Sequence, residues 1–93
     1  MTTHHRQRLD EAPLLREVVD RKSGTIEATG RLTPLGADLL SGTVESLHRQ
    51  SRGPITLELQ NVHAVDPEAR AVLLQLRRTL AARGGELVLR HLR

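Results

Sequence analysis

Along residues 55–82 the apolar repeat changes period, and that change limits the folds open to this chain more than any other feature. In "ITLELQ" (55–60) Ile55, Leu57 and Leu59 alternate with polar residues, the pattern of a strand with one buried face. From Pro67 onward Ala69, Val72, Leu73, Leu76 and Leu80 fall on one stripe, the pattern of an amphipathic helix running to about Ala82. Between the two lies the corner "NVHAVDPEAR" (61–70), read as a short polar loop entering the helix. Asp66 suits the N-cap, Pro67 the first helical position, and Glu68 the positive end of the helix dipole.

A similar unit precedes it. "TIEATG" (25–30) alternates Ile26 and Ala28 against Thr25, Glu27 and Thr29. "LLREVVD" (14–20), readable as a strand or a short helical turn, joins it in a hairpin through Ser23-Gly24. "TPLGADLLSGTVESLHRQSRG" (33–53) is helical, with Thr33 as N-cap, Pro34 at the first position and Gly53-Pro54 as the stop. Ala37, Leu40, Val44 and Leu47 share its core face, and Leu35 and Leu39 fall near its polar side. After the second helix "RGG" (83–85) offers Gly84 as a left-handed cap, and "ELVLRHL" (86–92) reads as a last strand.

The resulting order is β-β-α-β-α-β. Helical connections between strands imply crossovers and parallel pairing. Strands that alternate, rather than run continuously apolar, are covered on one face. The expected fold is therefore α/β, a two-layer mixed sheet with both helices on one side. Residues 1–12 are polar and aperiodic and are expected to form a loose tail ahead of one domain over 13–93. His4 and His5 in that tail are read as incidental rather than as metal ligands.

Composition narrows the function. Phe, Tyr and Trp are absent, so the core must be built from Leu, Val, Ile and Ala. Single-strand nucleic-acid binders stack bases on aromatic rings, which this chain lacks, and a two-layer sheet offers no helix-turn-helix presentation to a duplex. Of the 14 basic residues 13 are Arg, yet the net charge is only +3 and is spread along the chain, so no nucleic-acid partner is expected. Cysteine is absent, which excludes disulfides and thiolate metal sites. No stretch approaches the roughly 20 apolar residues of a membrane span, and "MTTHHRQRLD" lacks a secretory h-region. A cytoplasmic protein without membrane insertion is expected.

Catalysis needs a nucleophile or a matched acid and base. Between residues 52 and 78 the only hydroxyl is Thr56, so His63, which could face Asp66 or Glu68, has nothing near it to activate. His63, His91 and Asp66 show no spacing that places them on one metal, and "GRLTPLG" lacks the spacing and lysine of a phosphate loop. No enzyme activity, metal or cofactor is expected. Arg70, Leu74, Arg77 and Ala81 recur on the side of the second helix away from the core, which leaves Leu74 in water among arginines unless something covers it. Such a face is either solvated or a partner surface, since Arg and an isolated apolar side chain are common interface material.

Three stretches together resemble the STAS domain, the fold of bacterial anti-sigma factor antagonists. "TGRLT" (29–33) is similar to that family's strand ending before the first helix, "ITLELQNVHAVD" (55–66) to its aliphatic strand, polar loop and Asp, and "ARGGELVL" (82–89) to its Gly-Gly turn into the next strand. The resemblance covers about residues 14–92. It implies a regulator that binds a protein partner, an anti-sigma factor kinase, which in the family phosphorylates a Ser or Thr after the Asp and thereby breaks the complex. Here Asp66 matches the Asp, but Pro67 occupies the hydroxyl position and there is no phosphoacceptor. Glu68 is read either as a fixed imitation of phosphate or as a good helix start, and one side chain of charge −1 is a poor copy of phosphate.

The expected function is thus a non-enzymatic protein–protein regulatory module resembling an anti-sigma factor antagonist and acting in transcription. Its contacts are expected at Thr33 and Pro34 and at His63, Asp66, Pro67, Glu68, Arg70 and Leu74, because open α/β sheets bind at their strand C-terminal ends. Leu35 and Leu39 extend that surface. The alternative is a structural STAS subunit of a transporter or lipid-transport ABC complex, bound to an ABC ATPase and never phosphorylated. Against the full family fold the chain reads as shorter at its C-terminus, leaving a sheet edge for a partner or a second copy to cover.

Overall fold

The computed structural model describes residues 14–51 and 53–93, so the expectations for the N-terminal tail and its two histidines lie outside the described residues. Among the described residues six elements follow in the expected order: β1 (Leu15–Asp20), β2 (Thr25–Leu32), α1 (Pro34–Ser51), β3 (Ile55–Val65), α2 (Pro67–Ala82) and β4 (Leu87–Arg90). The sheet runs β1-β2-β3-β4. β1 and β2 form the antiparallel hairpin, and β2, β3 and β4 are parallel, each pair joined by a helical crossover.

Both helices lie on one face. Their expected stripes are buried: Ala37, Leu40, Val44 and Leu47 on α1, and Ala69, Leu73, Leu76 and Leu80 on α2, with Val72 half-buried at the margin. Ile26, Ala28 and Leu32 of β2, Ile55, Leu57, Leu59 and Val62 of β3, and Leu87 of β4 meet them in one aliphatic core. Glu27 and Thr29 of β2, between its core residues, stand exposed on the other face.

Each turn has a local cause. Gly24 takes φ +69, and its N–H donates to the Asp20 carbonyl to close the hairpin. Thr33 caps α1 by accepting the Gly36 N–H at 3.1 Å. At the end of α2 the Gly84 N–H donates to Ala81 O and the Gly85 N–H to Leu80 O, with Gly84 at φ +83, which is the Schellman closure expected of that glycine. Gly85 is required for space instead: a Cβ there would lie 2.7 Å from Cε1 of His48, a side chain that fills the end of the core and whose buried Nδ1 has no partner among the described residues.

The structure corrects the expected boundaries in two places. β3 does not stop at Gln60 but continues through "NVHAV" to Val65, so 61–65 is strand and not loop. Its register with β2 slips between Glu27 and Thr29 and again between Gly30 and Arg31. Core-facing residues of β3 therefore fall at 55, 57, 59, 62 and 65, and two bulges hide the continuation from a strict two-residue repeat. β4 ends at Arg90 rather than running to Leu92, because His91 turns into the left-handed region at φ 62.

His91 is held there by Glu58, whose Oε2 lies 2.6 Å from His91 Nδ1 while its Oε1 lies 3.4 Å from Arg90 Nε. The His91 hydrogen bond, aided by the Gln60 N–H and the Arg90 charge, outweighs desolvation and holds the Glu58 carboxyl below its ordinary value of 4.5. A depressed carboxyl contributes stability above its unfolded pKa and loses it as pH falls through the folded one. Urea titrations from neutral pH to below about pH 4.5 should therefore show Glu58→Gln with a flatter acid limb than wild type; parallel limbs would show that the pair contributes nothing.

Candidate functional site

The two strand-to-helix corners meet at one end of the sheet. Leu32 pairs with Val65 in the last rung of the β2–β3 ladder, and the Asp66 N–H donates to the Leu32 carbonyl at 2.9 Å. This ties the start of α2 to the strand that leads into α1. Thr33 and Pro34 from the first corner and Asp66, Pro67 and Glu68 from the second thus share one surface, with Pro34, Pro67 and Glu68 exposed.

Asp66 holds the N-cap position of α2 with an extended backbone, φ −71 and ψ 141, but its side chain makes no capping bond. The carboxylate turns instead to Arg31, at 3.4 Å from Nη2. Arg31 was not expected at the site. It follows Gly30 in "TGRLT", and the register Arg31↔Ala64 sets it across from the residue two before Asp66. The Asp66 side chain is 28 % exposed and that of Arg31 52 %, so the pair is screened and orients the corner more than it stabilises it.

The other expected residues divide. His63 is exposed on β3 and does not pair with Asp66 or Glu68. The Arg70 backbone N–H closes the first turn of α2 on Asp66, and its Nε donates to the Arg93 carbonyl at 2.9 Å, which fixes its side chain beside the chain end. Leu74 is half-buried. His91 is engaged by Glu58 and Asp66 by Arg31, and among the described residues no three His, Asp or Glu side chains stand close enough to share a metal.

Beside the first corner Leu14, Leu15, Thr33, Leu35, Gly36 and Leu39 line a shallow, open, almost wholly apolar groove of about 180 Å³. Sequence placed Leu35 and Leu39 off the core stripe, and both are well exposed. Nothing in the sequence announced that they would stand over the start of β1. Gly36 makes the approach possible, since a Cβ there would lie 3.2 Å from Leu15 Cδ2.

A mixed sheet with a leading hairpin, helices on one face and both crossover corners at one end defines the class of small α/β binding modules to which the sequence pattern pointed. The family model described as "Mlab, STAS domain" matches residues 15–93, and the chain belongs to the STAS domain family. No curated protein matches the chain. No helix among the described residues is long and apolar enough to cross a membrane.

Proposed function

We propose that this STAS domain is a non-enzymatic regulator that docks a protein partner at the joined corners, in the manner of an anti-sigma factor antagonist but without a phosphorylation switch. The observation that carries this reading is the Asp66-Pro67-Glu68 step, tied to Leu32 and Arg31 through Asp66, exposed at Pro67 and Glu68 and bare of any hydroxyl. Thr33, Pro34, His63, Arg70 and Leu74 border the same surface. Glu68 presents negative charge there while Arg31 holds the Asp66 carboxylate in place, and charge positioned in this way steers a partner and fixes its orientation. Transcription control in a bacterial cytoplasm is the setting that fits.

A second reading is favoured by the same missing hydroxyl. A STAS subunit that braces an ABC ATPase has no need of a phosphoacceptor, and an imino acid at the head of α2 makes the corner permanently insensitive to a kinase. Affinity capture from the native host separates the two, with a histidine-kinase-type ATPase recovered in the first case and an ABC ATPase in the second. The sharper test is Pro67→Ser. Incubated with the anti-sigma kinase and labelled ATP, wild type should take up no label and the variant should be phosphorylated. A variant that stays unlabelled would remove the first reading.

A further inference from the structure

The large hydrophobic side chains left exposed among the described residues are Leu14, Val18, Val19, Leu35 and Leu39. All five lie on one edge of the molecule, on or just before β1 and on the adjoining start of α1. The opposite edge, β4, leaves none, and its four residues end at the Glu58–His91 contact. Among the described residues β1 pairs with β2 on one side only. An edge strand with unpaired backbone and exposed apolar side chains is a template for another strand.

We propose that this edge is the interface of a symmetric dimer in which β1 pairs antiparallel with β1 of a second copy, about a two-fold axis at Val18. The backbone permits that register. The Leu14 carbonyl accepts the Arg31 N–H and the Asp20 carbonyl accepts the Gly24 N–H, so even-numbered residues of this segment aim their backbone inward. By alternation Leu15, Glu17 and Val19 aim theirs at the free edge. With the axis at Val18, Glu17 and Val19 of one copy exchange backbone bonds with Val19 and Glu17 of the other. Val18 then faces Val18, and Arg16 faces Asp20, in the non-hydrogen-bonded pairs that bring side chains closest.

Charge singles it out among the registers the backbone permits. Arg16, Val18 and Asp20 all point to the sheet face away from the helices and are exposed, Val18 at 67 %. The Val18-centred register sets two Arg–Asp pairs around an apolar centre, duplicated by symmetry. Centring on Glu17 would oppose two carboxylates and set Asp20 against Leu14. Val19, Leu35 and Leu39 flank the joint on the helix side and fill the space above it. Leu35 and Leu39 border the first corner as well, but Arg16, Val18 and Asp20 lie on β1 away from Asp66, Pro67 and Glu68, so substitutions there test the dimer without touching the step that carries the functional proposal.

Sedimentation equilibrium on the full chain tests it. Wild type should be a dimer, and Val18→Lys, which places two ammonium groups at the axis on a site exposed enough to fold, should be monomeric. Arg16→Asp and Asp20→Arg should each weaken the dimer by roughly tenfold or more, since each turns two attractive pairs into repulsive ones. Mixed one to one, these two variants restore both Arg–Asp pairs and should form a heterodimer. Circular dichroism confirms that each is folded. A monomeric wild type, a dimer indifferent to Val18→Lys, or a mixture that stays monomeric would overturn the proposal.

Discussion

Replacing Gly30 with Ala is expected to cost about 3–5 kcal/mol, a large part of the roughly 5–15 kcal/mol that holds a domain of this kind together. Two independent effects add. Gly30 sits at φ +116, where an L side chain is strained. A Cβ at that position would also run into the Leu14 carbonyl oxygen, which accepts the Arg31 N–H at the far end of the hairpin. That oxygen is backbone and cannot move aside without giving up the bond. The urea midpoint should fall by roughly 3–5 M for a domain this small, taking about 1 kcal/mol per molar. Gly42→Ala is the matched control: its Cβ meets nothing within 4 Å, it lies inside α1, and it should raise stability by about 0.5–1 kcal/mol. A Gly30→Ala midpoint close to that of wild type would show that the backbone there is free to relax.

The contrast between the two glycines shows what the sequence could and could not reveal. Gly42 and Gly30 look alike on the page, and only the sheet pairing assigns one to open space and the other to the back of Leu14. Elements that depend on a regular repeat were legible. The stripes Ala37 to Leu47 and Ala69 to Leu80 are both buried where the helical period puts them, and the caps at Thr33 and Gly84 form as their residue types demand. Elements that depend on a break in the repeat were not. The second half of β3 was read as a loop because two register slips shift its core positions from 59 to 62 and then to 65.

The same logic governs the site. Asp66 and Pro67 could be placed at a helix start from sequence, because capping preferences are local. The partner of Asp66 could not, because Arg31 is 35 residues away and reaches it only through the parallel β2–β3 pairing. Leu35 and Leu39 were visible as misplaced apolar residues on α1, but the groove they line exists only because Gly36 lets the helix approach Leu15. Long-range contacts that carry function are set by topology, and a local reading names the residues without their neighbours.

Val62→Asp should be the most damaging single change in the corner segment. Val62 is 1 % exposed and faces the core opposite Gly30, between the two register slips. An aspartate there would place an ionised carboxylate among Leu, Val and Ala side chains with no cation near it, a penalty of several kcal/mol even after relaxation. Its neighbours Asn61 and His63 are exposed, so Asn61→Asp and His63→Asp should each move stability by no more than about 0.5 kcal/mol. Val62→Ala gives a graded version, about 2 kcal/mol for the lost methyl contacts. The series separates the strand from the loop that the sequence suggested. A surface loop would tolerate all three aspartates alike, whereas a bulged strand that returns one residue to the core tolerates two and unfolds with the third. Thermal melting of the three variants at neutral pH reads the difference directly, and equal midpoints would mean that β3 ends before the corner and that the contacts tying Asp66 to Leu32 and Arg31 are not fixed.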